Sequence, residues 1–274
     1  MTRIARTLLF VPGNRPERFP KAVASGAHAV IIDLEDAVPP AERDAAREAA
    51  AAWLSIKGNR AMLRVNGAAT EWHRRDLEAA GAAGVTAVVV PKVERLAELH
   101  AVRHALPAAP ILPIVETAHG IRLLDEIASF TGVARLAFGS LDLGIDLGIG
   151  GLGAELDYFR SRVVLASRLA GLAPPIGGVV ADFRDDDALR ADTERERRFG
   201  FGGKLCIHPR QIEVVHGCFR PKRDEVAWAK RVLEASRKAR GRAVQLDGRM
   251  IDRPIVIQAE TVLADAGLPA TGRK

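Results

Sequence analysis

The chain has 274 residues, enough to bury a substantial core as one large α/β domain or two small ones without covalent staples. Its two cysteines, Cys206 and Cys218, form neither a disulfide framework nor a metal-ligand spacing. The formal charge of +6 points to an anionic partner, but aromatics at 5% and the lack of a basic run or nucleic-acid motif argue against nucleic acid and leave an anionic small molecule.

The start, Met-Thr-Arg-Ile-Ala-Arg, lacks the apolar core of a signal peptide, and no apolar run is long enough to span a bilayer. A cytoplasmic protein with no membrane partner is expected. Much of the Arg excess falls on Ala-rich amphipathic segments, where a solvated helix face accounts for it.

Short apolar runs alternate with amphipathic segments along most of the chain. The runs cover residues 7–11, 29–32, 61–65, 87–90, 111–115, 135–138, 177–180 and 204–207. They are continuous rather than alternating, as strands covered on both faces should be. Helices are expected over 16–24, 40–54, 70–80, 96–105, 121–127, 158–169, 186–199 and 210–216. Eight βα units in about 215 residues fit a TIM (β/α)8 barrel better than a doubly wound open sheet, which usually stops at five or six strands.

Beyond residue 219 the pattern changes, so a barrel over 1–219 and a C-terminal helical arm over 220–274 are expected. The arm reads as a helix over 225–240 closed by Gly241 as a C-cap, a short run at 243–246, and a turn at Asp247-Gly248. Met-Ile-Asp-Arg-Pro at 250–254 leads into a last helix over 255–266, and the tail 269–274 should fray.

In such a barrel, chemistry sits where strands end. Run five ends on Glu116 and run six on Asp142. A crossover helix between two parallel strands brings both carboxylates to the same end of the sheet, where they can hold a hard divalent cation and leave positions for a substrate. The other run ends add Asp33, Glu35, Asp36, Arg64, Lys92, Asp182 and His208. The acidic trio at 33–36 reads either as capping of the next helix or as an outer shell around a metal site. Arg64 at a strand end suits a two-point grip on a substrate carboxylate. Lys92 can pair with Glu94, or join Asp182 among the substrate-facing groups, and His208 reads as a packed loop residue. Gly148-Ile-Gly-Gly-Leu-Gly153 matches a dinucleotide pattern in the wrong place, since Leu143–Leu147 separates it from the strand, and reads as a flexible loop beside Asp142.

Several stretches together resemble the citrate lyase beta-subunit-like branch of the acyl-CoA lyases and pyruvate-type aldolases. They are Leu-Phe-Val-Pro-Gly-Asn at 9–14, Ile-Asp-Leu-Glu-Asp at 32–36, Leu-Arg-Val-Asn at 63–66, Val-Pro-Lys-Val-Glu at 90–94 and Pro-Ile-Val-Glu-Thr at 113–117. Asp-Phe-Arg-Asp at 182–185, Gly-Lys-Leu-Cys-Ile-His-Pro at 203–209 and Met-Ile-Asp-Arg-Pro at 250–254 extend the likeness over nearly the whole chain. The resemblance implies a TIM barrel binding Mg²⁺ through Glu116 and Asp142. Oxygen ligands favour Mg²⁺, with Mn²⁺ able to serve. It also implies that Arg64 holds the ketoacid carboxylate, that Asp252 acts as acid/base, and that Arg15, Arg18 and Lys21 contact CoA phosphates.

The implied reaction is cleavage of a 3-hydroxyacyl-CoA of citramalyl, malyl or citryl type to acetyl-CoA and a 2-ketoacid. The implied assembly is a homo-oligomer, trimer or hexamer, with the arm covering a neighbouring barrel. Ser140 departs from the pattern, since relatives often carry Glu near the metal Asp. A pyruvate-type metal aldolase acting on free hydroxy-ketoacids, and a citrate lyase complex subunit acting on an acyl-carrier-protein thioester, remain alternatives.

Overall fold

The computed structural model describes residues 4–239 and 242–269, so the expected Gly241 cap and nearly all of the expected frayed tail lie outside the described residues. Eight parallel strands close into a barrel in chain order. They are β1 Thr7–Pro12, β2 Ala29–Asp33, β3 Met62–Arg64, β4 Val88–Val90, β5 Ile111–Val115, β6 Ala137–Phe138, β7 Ile176–Gly177 and β8 Gly203–Cys206. The β1–β8 pairing, Thr7 beside Lys204 and Leu9 beside Cys206, closes the ring.

The helices around the barrel are α1 Phe19–Val23, α2 Arg43–Leu54, α3 His73–Ala83, α4 Leu96–Ala105, α5 Ala118–Arg122, α6 Leu124–Ser129, α7 Ser140–Leu147, α8 Asp157–Leu169, α9 Asp186–Phe199 and α10 Gln211–Phe219. Their ends follow local chemistry. Thr117 caps α5 by accepting from the Gly120 amide at 3.0 Å. Asp185 caps α9 by accepting from the Asp187 and Ala188 amides. Gly200 then closes α9 in the left-handed region at φ 104°, which an L side chain avoids.

Leu8, Ile31, Val89, Leu112, Ile114, Ala137, Ile176 and Leu205 form one buried cluster, with Phe10 and Met62 packed on it. Every strand contributes, so the barrel is filled rather than hollow. Each fully buried Leu or Ile contributes about 1.5–3 kcal/mol relative to exposure. Side chains alternate in and out along a strand. The parity that turns Leu205 inward turns its neighbour Lys204 outward, where its ammonium pairs with Asp192 and with Glu196 of α9. Lys204 therefore ties β8 to the helical layer. The same parity aims Asp33, Arg64 and Glu116 inward, two residues beyond the core positions Ile31, Met62 and Ile114.

The chain divides into two compact units, Met1–His216 and Gly217–Lys274. In the second, α11 Arg223–Lys238, the hairpin β9 Val244–Leu246 with β10 Arg249–Ile251, and α12 Arg253–Asp265 share their own core of Ala229, Val232, Leu233, Ile251, Ala259 and Leu263. Asp247 and Gly248, at φ 50° and 76°, make the tight hairpin turn.

One expectation along the chain is corrected. Asp142 does not end a strand: residues 140–147 fold as α7, and Asp142 lies in its first turn. The short apolar stretch with an internal Gly144 hid this helix, although Gly148 stops it in the left-handed region at φ 66°. The glycine-rich segment that follows is tied down at its far end. Arg160, 1% exposed, donates to the Leu152 and Gly153 carbonyls at 2.8 and 2.7 Å.

Candidate metal and substrate site

Asp33 and Arg64 are register partners at the ends of β2 and β3. Arg64 grips Asp33 with two parallel bonds, Nε to Oδ1 and Nη2 to Oδ2, both 2.6 Å. Its remaining nitrogen, Nη1, lies 3.1 Å from Glu35 Oε2 and 3.3 Å from Asp36 Oδ2. The guanidinium rests 4.6 Å over the Phe10 ring. Burial alone would lower the Arg64 pKa, but the charges of Asp33, Glu35 and Asp36 outweigh it and keep the group protonated. Asp33 also accepts from the Glu35 and Ala37 amides at 2.9 and 3.0 Å, which fixes the loop carrying Glu35 and Asp36.

Glu116 follows β5 and is 3% exposed. Its Oε1 accepts from the Lys92 amide at 2.9 Å. Its Oε2 lies where a Cβ on Gly139 would stand, at 2.3 Å from that position. Only glycine leaves room for the carboxylate there. Burial, then the neighbouring charges of Asp142 and Glu35, push the Glu116 carboxyl up to about 8. The Asp142 side chain is 40% exposed, and its Oδ1 stands 3.9 Å from the Lys92 ammonium. The two expected metal ligands therefore share one rim. Among the described residues no three His, Cys, Asp or Glu side chains converge as a closed metal cage. A buried carboxylate strained toward its neutral form beside an open one fits a cation held by two oxygens with free positions, as Mg²⁺ prefers and zinc does not.

Lys92 reaches into the same cluster, with Nζ 2.6 Å from Glu35 Oε1 and 3.5 Å from Asp36 Oδ1. Burial would lower the ammonium pKa, but Glu35, Glu116 and Asp36 reverse this and hold it high. Lys92 thus pairs with Glu35 rather than Glu94. The Glu35 carboxyl is itself raised, by burial first, against the pull of Arg64 and Lys92.

The remaining residues lie further out. Arg15 and Arg18 lie in the exposed turn after β1, where Glu17 lies 2.7 Å from Arg15 and 3.8 Å from Arg18, and Lys21 is exposed on α1. Asp182, exposed after β7, accepts from the Arg184 amide at 2.9 Å. His208 stacks on Phe183 at 4.5 Å, a packed loop histidine as its sequence context indicates. Asp252, in the C-terminal unit, caps α12 by accepting from the Ile255 amide at 3.3 Å. Sequence reasoning gave no role to Gly139 or Phe10. The glycine directly after a strand and three residues before an expected ligand was the available signal for the first, and inward parity with Leu8 was the signal for the second.

A filled eight-stranded barrel with a charged cluster of oxygens and cations at its strand ends defines a TIM-barrel enzyme. Residues 6–209 match the HpcH/HpaI aldolase/citrate lyase family. The chain is 37% identical to a (3S)-malyl-CoA thioesterase of Cereibacter sphaeroides, over 95% of this chain and 94% of that one. It is similar to the crystal structure of CitE from Mycobacterium tuberculosis in complex with magnesium, acetoacetate and coenzyme A. The TM-score is 0.87 at 36% identity, covering 97% of this chain and all of that one. A citrate lyase beta subunit from M. tuberculosis complexed with oxaloacetate and magnesium matches with TM-score 0.71 at 33% identity, over 79% of this chain and 98% of that one. The chain belongs to the HpcH/HpaI aldolase/citrate lyase family, which includes lyases acting on CoA thioesters or citrate-type substrates. Among the described residues no helix is long and apolar enough to cross a membrane.

Proposed function

We propose that the protein is a Mg²⁺-dependent lyase that splits a 3-hydroxyacyl-CoA into acetyl-CoA and a 2-ketoacid. The observation that carries this reading is the buried Glu116 beside Asp142 at one rim, with no third protein ligand among the described residues. The magnesium, acetoacetate, oxaloacetate and coenzyme A in the similar structures support the choice of cation and substrate class.

Glu116 and Asp142 would hold the cation. The chemistry a bound Mg²⁺ or Mn²⁺ supplies there is Lewis-acid polarisation of the substrate's hydroxyl and carboxylate oxygens. Arg64 presents Nη1, the nitrogen not committed to Asp33, to the ketoacid carboxylate and orients the breaking bond. Glu35, Asp36 and Lys92 set the charge around that carboxylate, with Asp182 at the outer edge. Arg15, Arg18 and Lys21 offer cations to the CoA phosphates. As the hydroxyl becomes the ketoacid carbonyl, Asp252 takes its proton, the electron pair of the broken carbon–carbon bond passes to the thioester α-carbon, and Asp252 returns the proton there. The Asp252 role, and a homo-oligomer (trimer or hexamer) in which one arm serves a neighbouring barrel, rest on the family likeness alone.

The test is product analysis on citramalyl-, malyl- and citryl-CoA with and without EDTA. Acetyl-CoA and a ketoacid, formed only with metal, are expected. Free CoA and the intact hydroxyacid would instead indicate thioester hydrolysis, in line with the thioesterase relative. Activity confined to free hydroxy-ketoacids, or to a carrier-protein thioester, would replace this reading with an aldolase or a complex subunit.

A further inference from the structure

Lys92 meets both halves of the Glu116–Asp142 pair with different parts of itself. Its backbone amide donates to Glu116 Oε1 at 2.9 Å, and its ammonium stands 3.9 Å from Asp142 Oδ1. To do so it adopts φ 50°, a left-handed conformation that L side chains other than Asn and Asp rarely take. The strain is held in place by what it accomplishes, which is to aim the amide at the buried carboxylate.

The charges around Lys92 are unbalanced. Asp33, Glu35, Asp36 and Asp142 supply four carboxylates beside the buried Glu116 carboxyl, against the two cations Arg64 and Lys92. Arg64 is fixed by its fork to Asp33, with a side chain only 10% exposed. The Lys92 side chain is 37% exposed and ends a flexible four-carbon stem. Its ammonium already lies between Glu35 at 2.6 Å and Asp142 at 3.9 Å.

We propose that the Lys92 ammonium is a built-in placeholder for the divalent cation. It shields Asp142 and Glu35 when the metal is absent, and withdraws toward Glu35 and Asp36 when the metal binds. Lys92 is then a positioning residue that keeps the empty site assembled and the metal exchangeable. The amide grip on Glu116 is independent of the ammonium and persists in both states. This inference rests on Glu116 and Asp142 being the metal ligands.

The test is Mg²⁺ titration calorimetry and melting in EDTA on wild type, Lys92→Met, Lys92→Gly and Glu116→Gln. Methionine keeps the length without the charge, and glycine also relieves the left-handed backbone. Both variants are expected to bind Mg²⁺ about tenfold more tightly, the scale of a unit charge repelling a divalent ion at about 5 Å in water-like surroundings. Lys92→Met should also melt below wild type in EDTA and recover at saturating Mg²⁺. Equal or weaker Mg²⁺ binding in either variant overturns the proposal, as does an unchanged melting temperature of Lys92→Met in EDTA. Unaltered Mg²⁺ binding by Glu116→Gln would remove the metal assignment itself and this proposal with it. Weakened binding there, alongside unaltered Lys92 variants, would remove the placeholder alone.

Discussion

Arg64 and Asp33 are locked together by two parallel 2.6 Å hydrogen bonds between register partners at the mouth of the barrel. The fork needs the planar guanidinium, which an ammonium cannot reproduce. Arg64→Lys should therefore keep the charge yet lose about 1–3 kcal/mol of stability, as an imperfectly satisfied buried carboxylate costs. Turnover should fall about 100-fold, because the substrate carboxylate loses its orientation. Chemical denaturation and steady-state kinetics check both. Wild-type kcat and KM in this variant would show that Arg64 serves only the fold.

The Glu116 carboxyl is raised from the usual 4.5 to about 8, by burial first and then by Asp142 and Glu35. In the metal-free protein the group stabilises the fold most below its unfolded value, and that contribution is lost as pH rises through about 8. Cation binding selects the ionised form, so the sign for metal is opposite. Mg²⁺ affinity should climb about tenfold per pH unit up to about pH 8 and level off above it. Titration calorimetry in buffers of different ionisation heat should show about one proton released at neutral pH. An affinity independent of pH across that range would contradict the role given to Glu116.

A Cβ at residue 139 would stand 2.3 Å from Glu116 Oε2 and 2.5 Å from Glu116 Cβ. The backbone there, at φ −86°, tolerates any residue, so Gly139→Ala is a purely steric test. It should displace the carboxylate, cost about 1–3 kcal/mol of stability and weaken Mg²⁺ binding about 10–100-fold. Full Mg²⁺ affinity in Gly139→Ala would show that Glu116 is not held where the metal needs it.

Asp252 caps α12 through the Ile255 amide, a role asparagine fills equally well. Asp252→Asn should thus fold and bind Mg²⁺ normally while turnover drops about 10²–10⁴-fold, the scale of a lost acid–base group. Asp252→Ala should lose about 1 kcal/mol of stability in addition. Unchanged turnover in the asparagine variant would leave Asp252 as a helix cap and nothing more.

The barrel was legible in the sequence because its strands are buried on both faces and read as unbroken apolar runs, from Ile111–Val115 to the run ending at Cys206. The cluster at the strand ends was legible as residue types: Asp33, Arg64 and Glu116 each close a run and turn inward by parity. Pairing was not legible. Nothing in Val-Pro-Lys-Val-Glu says that Lys92 skips Glu94 to reach Glu35, because that contact depends on the left-handed turn at Lys92 and on the strand neighbours. Helix α7 escaped notice for a related reason. Its eight residues are too short for a periodic signal, and only its termini, Asp142 near the start and Gly148 after the end, mark it.

Mn²⁺ titration of wild type, Glu116→Gln and Asp142→Asn, followed by electron paramagnetic resonance of the free ion, reports the metal site without requiring a substrate. One site is expected in wild type, with binding weakened about 100-fold or more in each variant, since removing either ligand costs more than disturbing its outer shell. Wild-type Mn²⁺ binding in both variants would place the cation elsewhere and contradict the account of this barrel's chemistry.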